Sequence, residues 1–368
     1  MLRKFLALCL ALTLLSPVSA QAAPLPGMPP QLDATNVYAA DTPNNLSPSV
    51  KGQQELVYVP NFQSATVSVI DPKTYKVIKT IKTKAGAQHV VPSWDLKTLW
   101  VNDNKGNYLT PIDPVTVSAR KDVYVHDPYN LYFTPDGKSA IVMAEADREI
   151  VYRDPQTMKI QHTTKVPCDG INHADWTADG NQFVATCEFS GKLLLVDTKS
   201  GTILKTAGLM GKGAHSAMPQ DIKISPDGKT FYIADMTSNG VWVMPANNFG
   251  KFTFIKTGKG AHGLYVTRDF KSLLITNRDE GSISVLRFSD NKLIAKWKIP
   301  GGGSPDMGNI STDGTQFWVS GRYDSEVYVF DIPHGKFLKK IKVGTEPHGL
   351  TYWPQPGRYS LGHTGIMR

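Results

Sequence analysis

One pattern recurs along the chain and limits what it can fold into. From Val57 to Ile81, VYVPNFQSATVSVIDPKTYKVIKTI, three short runs alternate between apolar and polar positions, with Asp71-Pro72-Lys73-Thr74 turning before the third. Period-two alternation bounded by Asn, Asp, Pro and Ser marks strands joined by tight turns. Seven copies follow one another, and three columns of residues keep their phase. The first column ends a strand: Asn61, Asp103, Glu145, Cys187, Asp235, Asn277 and Gly321. The second is an Asp-containing turn at Asp71, Asp113, Asp154 and Asp197, replaced by Pro245 and Ser289-Asp290, then Asp331. The third is an Asp-Gly-type turn at Asp95, Asp136, Asp179, Asp227, Asp269 and Asp313, closed by Pro356-Gly357. In all three columns successive members lie 41 to 48 residues apart.

A period of about 40–50 residues holding four short strands is the pattern of a β-propeller blade. The fifth copy shows all four, over Gly263–Thr267, Leu273–Asn277, Ser282–Phe288 and Lys292–Ile299. One blade is too small to bury its own faces, so seven in a ring must share their cores with their neighbours. The expected fold is therefore all-β, a single seven-bladed propeller over residues 53–357. Trp100, Trp242, Trp318, Tyr58, Tyr232 and Tyr328 fall on strands, where they pack blade against blade. The first copy begins at its second strand, Val57, and the last leaves His348–Trp353 without a partner. The simplest closure lets that C-terminal run supply the innermost strand of the first blade.

Residues 1–22 have the layout of a secretory signal: Arg3 and Lys4, an apolar run over Phe5–Leu15, then Ala20-Gln21-Ala22. The run is shorter than the ~20 residues a membrane span needs. Cys9 lies inside it, too early for lipid attachment. The chain is expected to be exported by a bacterium, to the periplasm or beyond, with no transmembrane segment once the signal is cut. Residues 23–52, rich in Pro, Asn, Ala and Ser, read as a flexible leader. Residues 358–368 form a tail expected to lie across one face. The net charge of +8 becomes +6 once Arg3 and Lys4 leave, and the basic residues are scattered over turns and outer strands. That distribution and export argue against nucleic acid as a partner. The protein is expected to be a monomer. Cys168 and Cys187 remain, an even pair in an oxidising compartment, which favours a disulfide over a metal or redox dithiol.

Tyr58-Val59-Pro60-Asn61, Thr66-Val67-Ser68-Val69-Ile70-Asp71, Leu274-Ile275-Thr276-Asn277 and Ser225-Pro226-Asp227-Gly228-Lys229 resemble the repeat of the YVTN-type, YncE-like β-propellers. The resemblance covers Val57 to Gly357 and implies the seven-bladed fold. It implies much less about function, because one fold hosts many activities. The wider group is similar to the propellers of d-type haem nitrite reductases, nitrous oxide reductase and bacterial lactonases. Its simpler members are exported binding proteins.

In a propeller the first strand of each blade lines the central channel. Counting back from each Asp-Gly-type turn places Gln88-His89, Tyr129-Asn130, Asn172-His173, Gln220-Asp221, His262-Gly263, Asp306-Met307 and His348-Gly349 at the channel mouth. His89, Asn130, His173, Asp221, His262, Asp306 and His348 are thus the candidate ligand-binding residues. Five of the nine histidines, His89, His173, His215, His262 and His348, gather near one face. Four or more imidazoles around one opening call for partners or a metal. Three uses compete. The first, and the expected role, is binding or scaffolding: recognition of a partner protein or small ligand through the channel-mouth face, with no reaction. The second is a copper-type or other divalent metal site using His215, Met218, His262 and His348, with Met307 an alternative thioether; an extra loop over Gly208–Pro219 supplies His215 and Met218. The third is a lactonase- or esterase-like cation site on Asn61, Asp103, Glu145, Asp235 and Asn277 with a His as base. No nucleophile elbow, H-E-x-x-H, phosphate loop or C-x-x-C-H occurs, and a seven-bladed channel is narrow for non-covalent haem.

Overall fold

The computed structural model describes residues 23–210, 216–332, 334–363 and 365–368. The signal segment 1–22 and His215 lie outside the described residues. Seven antiparallel sheets succeed one another along the chain. Their inner strands, in chain order from the second blade, are Ala87–Pro92, Asn130–Phe133, Ile171–Trp176, Pro219–Ile224, Ala261–Val266 and Pro305–Ile310. The first blade takes its inner strand from the other end of the chain. Thr351–Trp353 pairs antiparallel with Leu56–Asn61, Trp353 opposite Leu56 and Thr351 opposite Tyr58. The predicted closure is therefore present, and the pairing continues through His348 N–Pro60 O at 3.0 Å to an antiparallel bridge between Pro347 and Asn61. The outer strand of the second blade is broken into Ser118–Ala119 and Val123–Tyr124.

Each hairpin between an inner strand and the next has its own lock. Ser93, Thr134, Thr177, Ser225, Thr267 and Ser311 donate to the Asp two residues on at 2.6–2.7 Å. This Asx/ST chemistry is why Asp recurs in the third column. The alternating apolar residues then meet between blades. Trp318 of the seventh blade packs on Val57, Val59 and Tyr352 of the first. Each fully buried aromatic or aliphatic side chain contributes roughly 1.5–3 kcal/mol, which no isolated blade could collect.

The segment expected to be a flexible leader is instead strapped across the face opposite the mouth. Leu25 N donates to Asp179 O, Val37 N to Pro226 O and Asn44 N to Thr312 O, all at 2.8–2.9 Å. These acceptors lie at the hairpin turns of three different blades. Tyr38 is buried, with its hydroxyl on Ile224 O at 2.9 Å. Low strand and helix content misled the sequence reading, because backbone groups can be satisfied by neighbouring turns as well as by regular structure. The tail crosses the same face: His363 N donates to Leu131 O at 2.8 Å, and Arg368 grips Asp175 at 2.7 Å. Cys168 and Cys187 form a disulfide with Cα atoms 6.0 Å apart. None of the described helices is long and apolar enough to cross a membrane.

Candidate functional site

The inner strands do not pair evenly. In five of them the ladder skips, from Ala87↔Asp103 to Val90↔Val101, and equivalently at Ile171/Ala174, Pro219/Ile222, Ala261/Leu264 and Pro305/Gly308. Three residues of the inner strand there span two of its neighbour, a β-bulge, which bends the strand and re-aims its side chains. The bulged pairs are Gln88-His89, Asn172-His173, Gln220-Asp221, His262-Gly263 and Asp306-Met307, all predicted from the repeat phase. Hydroxyls on the adjacent strand accept the displaced N–H groups: Thr186 from His173, Thr276 from Gly263 and Ser320 from Met307.

These side chains lie within the channel rather than on an open mouth. His89, His173, His262 and His348 are buried, as are Asn130, Asp221 and Asp306. The fifth imidazole of the set is His363, from the tail, and it is also buried. Ring centroids run His89–His348 4.8 Å, His348–His262 5.9 Å, His262–His173 6.4 Å, His173–His363 4.9 Å and His363–His89 5.2 Å. Five imidazoles thus form a closed circuit. Burial keeps them neutral, pushing His89 down to about 3 and the other four well below the ordinary imidazole value.

Two carboxylates enter this circuit, each between two histidines: Asp306 with His262 and His348, and Asp221 with His173 and His363. Asp306 Oδ1 lies 3.1 Å from His262 Nδ1, and Asp306 Oδ2 lies 3.3 Å from His348 Nε2. His348 Nδ1 is 3.1 Å from Gln88 O, which can only accept. The proton of this neutral ring is therefore on Nδ1, and a lone pair on Nε2 faces Asp306 Oδ2, which has no donor among the described residues. Two acceptors confront each other there. Ligand atoms about 2.1 Å from an ion, at octahedral to tetrahedral angles, stand about 3.0–3.4 Å apart, which matches both separations. Met307 Sδ, 3.1 Å from His262 Nδ1, adds a thioether. Burial raises the Asp306 pKa, with Arg278 and Arg322 opposing the shift.

Asp221 is different. Its Oδ1 accepts from Ile222 N and its Oδ2 from Leu264 N, both at 2.9 Å, with Lys223 Nζ at 3.4 Å. Asn130 Oδ1 accepts from Leu131 N, so its NH2 faces Nδ1 of both His173 and His363, at 3.3 and 3.2 Å. Those rings consequently carry their protons on Nε2, and His363 Nε2 is 3.7 Å from Asp221 Oδ1.

At His262 and His348 a cavity of about 210 Å³ opens, with Arg278, Arg322, Glu145 and Glu188 among its lining residues. Burial pushes Glu145 up to about 8 and raises Glu188. Most of the strand-end column is occupied elsewhere. Asn61 donates to Thr66 and Ser68, Asp103 accepts from Thr110, Asp235 from Ser238 and Trp242, and Asn277 donates to Ser282 and Ser284. They cap their own hairpins, so the predicted lactonase-like ligand set is not assembled; only Glu145 of that set lines the cavity. Met218 is half-buried, with its backbone N–H on Asp235 Oδ1 at 3.0 Å.

The sequence reading missed His363, which lies outside the repeat, and the two arginines. A signal for the latter existed: Arg278 and Arg322 immediately follow Asn277 and Gly321 of the strand-end column, as Phe62 and Glu188 follow Asn61 and Cys187. Apart from Glu145, it is the residues one past that column that line the cavity: Phe62, Asn104, Glu188, Arg278 and Arg322.

Solved structures with this fold include hydrazine synthase of Kuenenia stuttgartiensis, at 18% identity and TM-score 0.64, covering 78% of this chain and 97% of that one. A functionally unknown protein from Desulfotomaculum acetoxidans aligns at 15% identity and TM-score 0.68, covering 81% and 98%. The dihydro-haem d1 dehydrogenase NirN, solved in complex with DHE, aligns at 13% identity and TM-score 0.62, covering 89% and 82%. At these identities the likeness is one of fold. A search among curated proteins finds no sequence match. The profile of the YNCE-like beta-propeller family matches residues 17–356, and the chain belongs to that family.

Proposed function

We propose that this protein is an exported transition-metal-binding propeller, with the ion on the channel floor between His262, Asp306 and His348. The observation that carries this reading is the lone pair of His348 Nε2 facing the donorless Asp306 Oδ2 at 3.3 Å. Two imidazoles and a carboxylate suit several first-row metals; the Met307 thioether tilts the set toward copper. A bound ion here would supply a Lewis-acidic or redox-active centre open to the cavity above. The disulfide and the signal-like residues 1–22 support a periplasmic or extracellular location, where copper and stable disulfides coexist.

The test is metal content of protein purified from its native compartment, and again after copper loading and dialysis. One copper per chain is expected, with none retained in His262→Ala or His348→Ala. Copper that washes out of the wild type, or that stays in both variants, would refute the site. The sequence-derived alternative, recognition of a partner or ligand with no metal, would then stand, because the same cavity serves it.

A further inference from the structure

We propose that the cavity above the channel floor takes a small oxyanion, a carboxylate or a phosphate, gripped by Arg278 and Arg322. This deepens the metal reading by naming the ligand class of the same site, but the arginine pair can be tested without a metal.

The two guanidinium groups converge on one carboxylate. Arg278 Nη1 is 3.2 Å from Asp306 Oδ1, and Arg322 Nε is 4.0 Å from Asp306 Oδ2. One arginine would neutralise Asp306, so the second is surplus, and any cation on the channel floor enlarges the excess. Within 4 Å both groups pair with Asp306 alone among the described residues, and aromatic faces brace them: Arg278 lies 5.7 Å over the Tyr323 ring and Arg322 5.2 Å over the Phe62 ring. Such stacking holds a guanidinium fork in place and leaves its edge for planar bidentate recognition. Arg278 Nε and Arg322 Nη1 have no acceptor among the described residues. The other charged groups on the cavity are Lys105, Glu145 and Glu188. Glu188 accepts from the Asn172 amide at 2.8 Å and acts electrostatically on Arg278, whereas burial favours the uncharged form of Glu145. On the cavity lining the cations Arg278, Arg322 and Lys105 outnumber the carboxylates Glu145 and Glu188. Phe62, Tyr129 and Phe189 supply apolar lining for the body of an organic anion.

Calorimetric titration of metal-free and copper-loaded protein tests the proposal, with benzoate, its uncharged isostere benzamide, and inorganic phosphate as probes. Binding of benzoate or phosphate is expected, with benzamide weaker by about tenfold or more. Arg278→Gln and Arg322→Gln should each weaken the anion by a similar factor, and Arg322→Lys by less. Benzoate against phosphate distinguishes an organic carboxylate from a phosphate ligand. Equal binding of benzoate and benzamide, no anion binding in either form, or anion binding that survives both glutamine variants would overturn the proposal. The wild-type comparison needs no variant, so a misfolded variant cannot rescue it. Copper uptake without anion binding would sink this proposal alone; anion binding without copper uptake would sink the metal reading alone.

Discussion

Two groups in the channel have the same composition, two histidines and an aspartate, and opposite proton accounts. Around Asp306, a backbone carbonyl takes the proton side of His348 and leaves a lone pair pointing at a carboxylate oxygen that has no donor. Around Asp221, the Asn130 amide donates to both imidazoles, and backbone N–H groups with Lys223 satisfy the carboxylate. The first group lacks a cation or a proton; the second is supplied with donors already. Residue types and spacing cannot separate the two. What separates them is which ring nitrogen each neighbour occupies, because that fixes whether an imidazole presents a lone pair or an N–H.

The sharpest break of this contrast is a pair of single variants. His348→Ala should lower copper affinity by roughly a hundredfold or more, whereas His363→Ala should change it by about threefold at most. Equal losses, read by competition with a chromogenic chelator, would mean that both groups hold metal.

Next comes the anchor of the Asp221 group. Arg368 pairs with buried Asp175 and holds down the tail that carries His363. Arg368→Met leaves Asp175 uncompensated and should cost about 3–5 kcal/mol in urea unfolding, with copper content unchanged. Loss of copper in parallel would show that the two groups are coupled.

Cys168→Ser with Cys187→Ser removes the bridge at the root of the blade that bears His173. A stability loss of about 3 kcal/mol is expected for a loop of this length, again without effect on copper. An unchanged unfolding midpoint under oxidising and reducing conditions would contradict it.

The smallest effect concerns pH. Unfolded imidazoles take up protons near pH 6.5, while folded His89 resists protonation down to about 3 and His173 and His363 also titrate well below the ordinary value. The unfolded state therefore binds more protons below pH 6.5, and metal-free protein loses stability as the pH falls. Each such group contributes at most about 1.4 kcal/mol per pH unit. His89→Gln should flatten the slope of unfolding free energy between pH 6.5 and 5 by up to one proton. An unchanged slope would place His89 in contact with solvent.

Much of the architecture was readable because a propeller repeats its instructions: the Ser/Thr-x-Asp turn locks and the strand-end column recur at nearly constant spacing, and counting from them located His89, His173, His262 and Asp306. The direction of those side chains was not readable, since a bulge is a one-residue slip that composition does not encode. Neither were His363 and the leader contacts through Tyr38, which depend on segments outside the repeat docking onto turns. Arg278 and Arg322 were in plain view one position past a column whose own members mostly cap hairpins.

His348 reaches the channel in the same C-terminal run that supplies Thr351–Trp353 to the first blade. Synthesis delivers this run after every other blade, and its partner strand, Leu56–Asn61, has by then waited for nearly the whole chain. A nascent or prematurely terminated chain ending before His348 lacks both the fastening strand and a proposed ligand of the ion. Metal acquisition would then act as a readout of completed synthesis, in which an open ring stays empty and only a fastened one can be loaded.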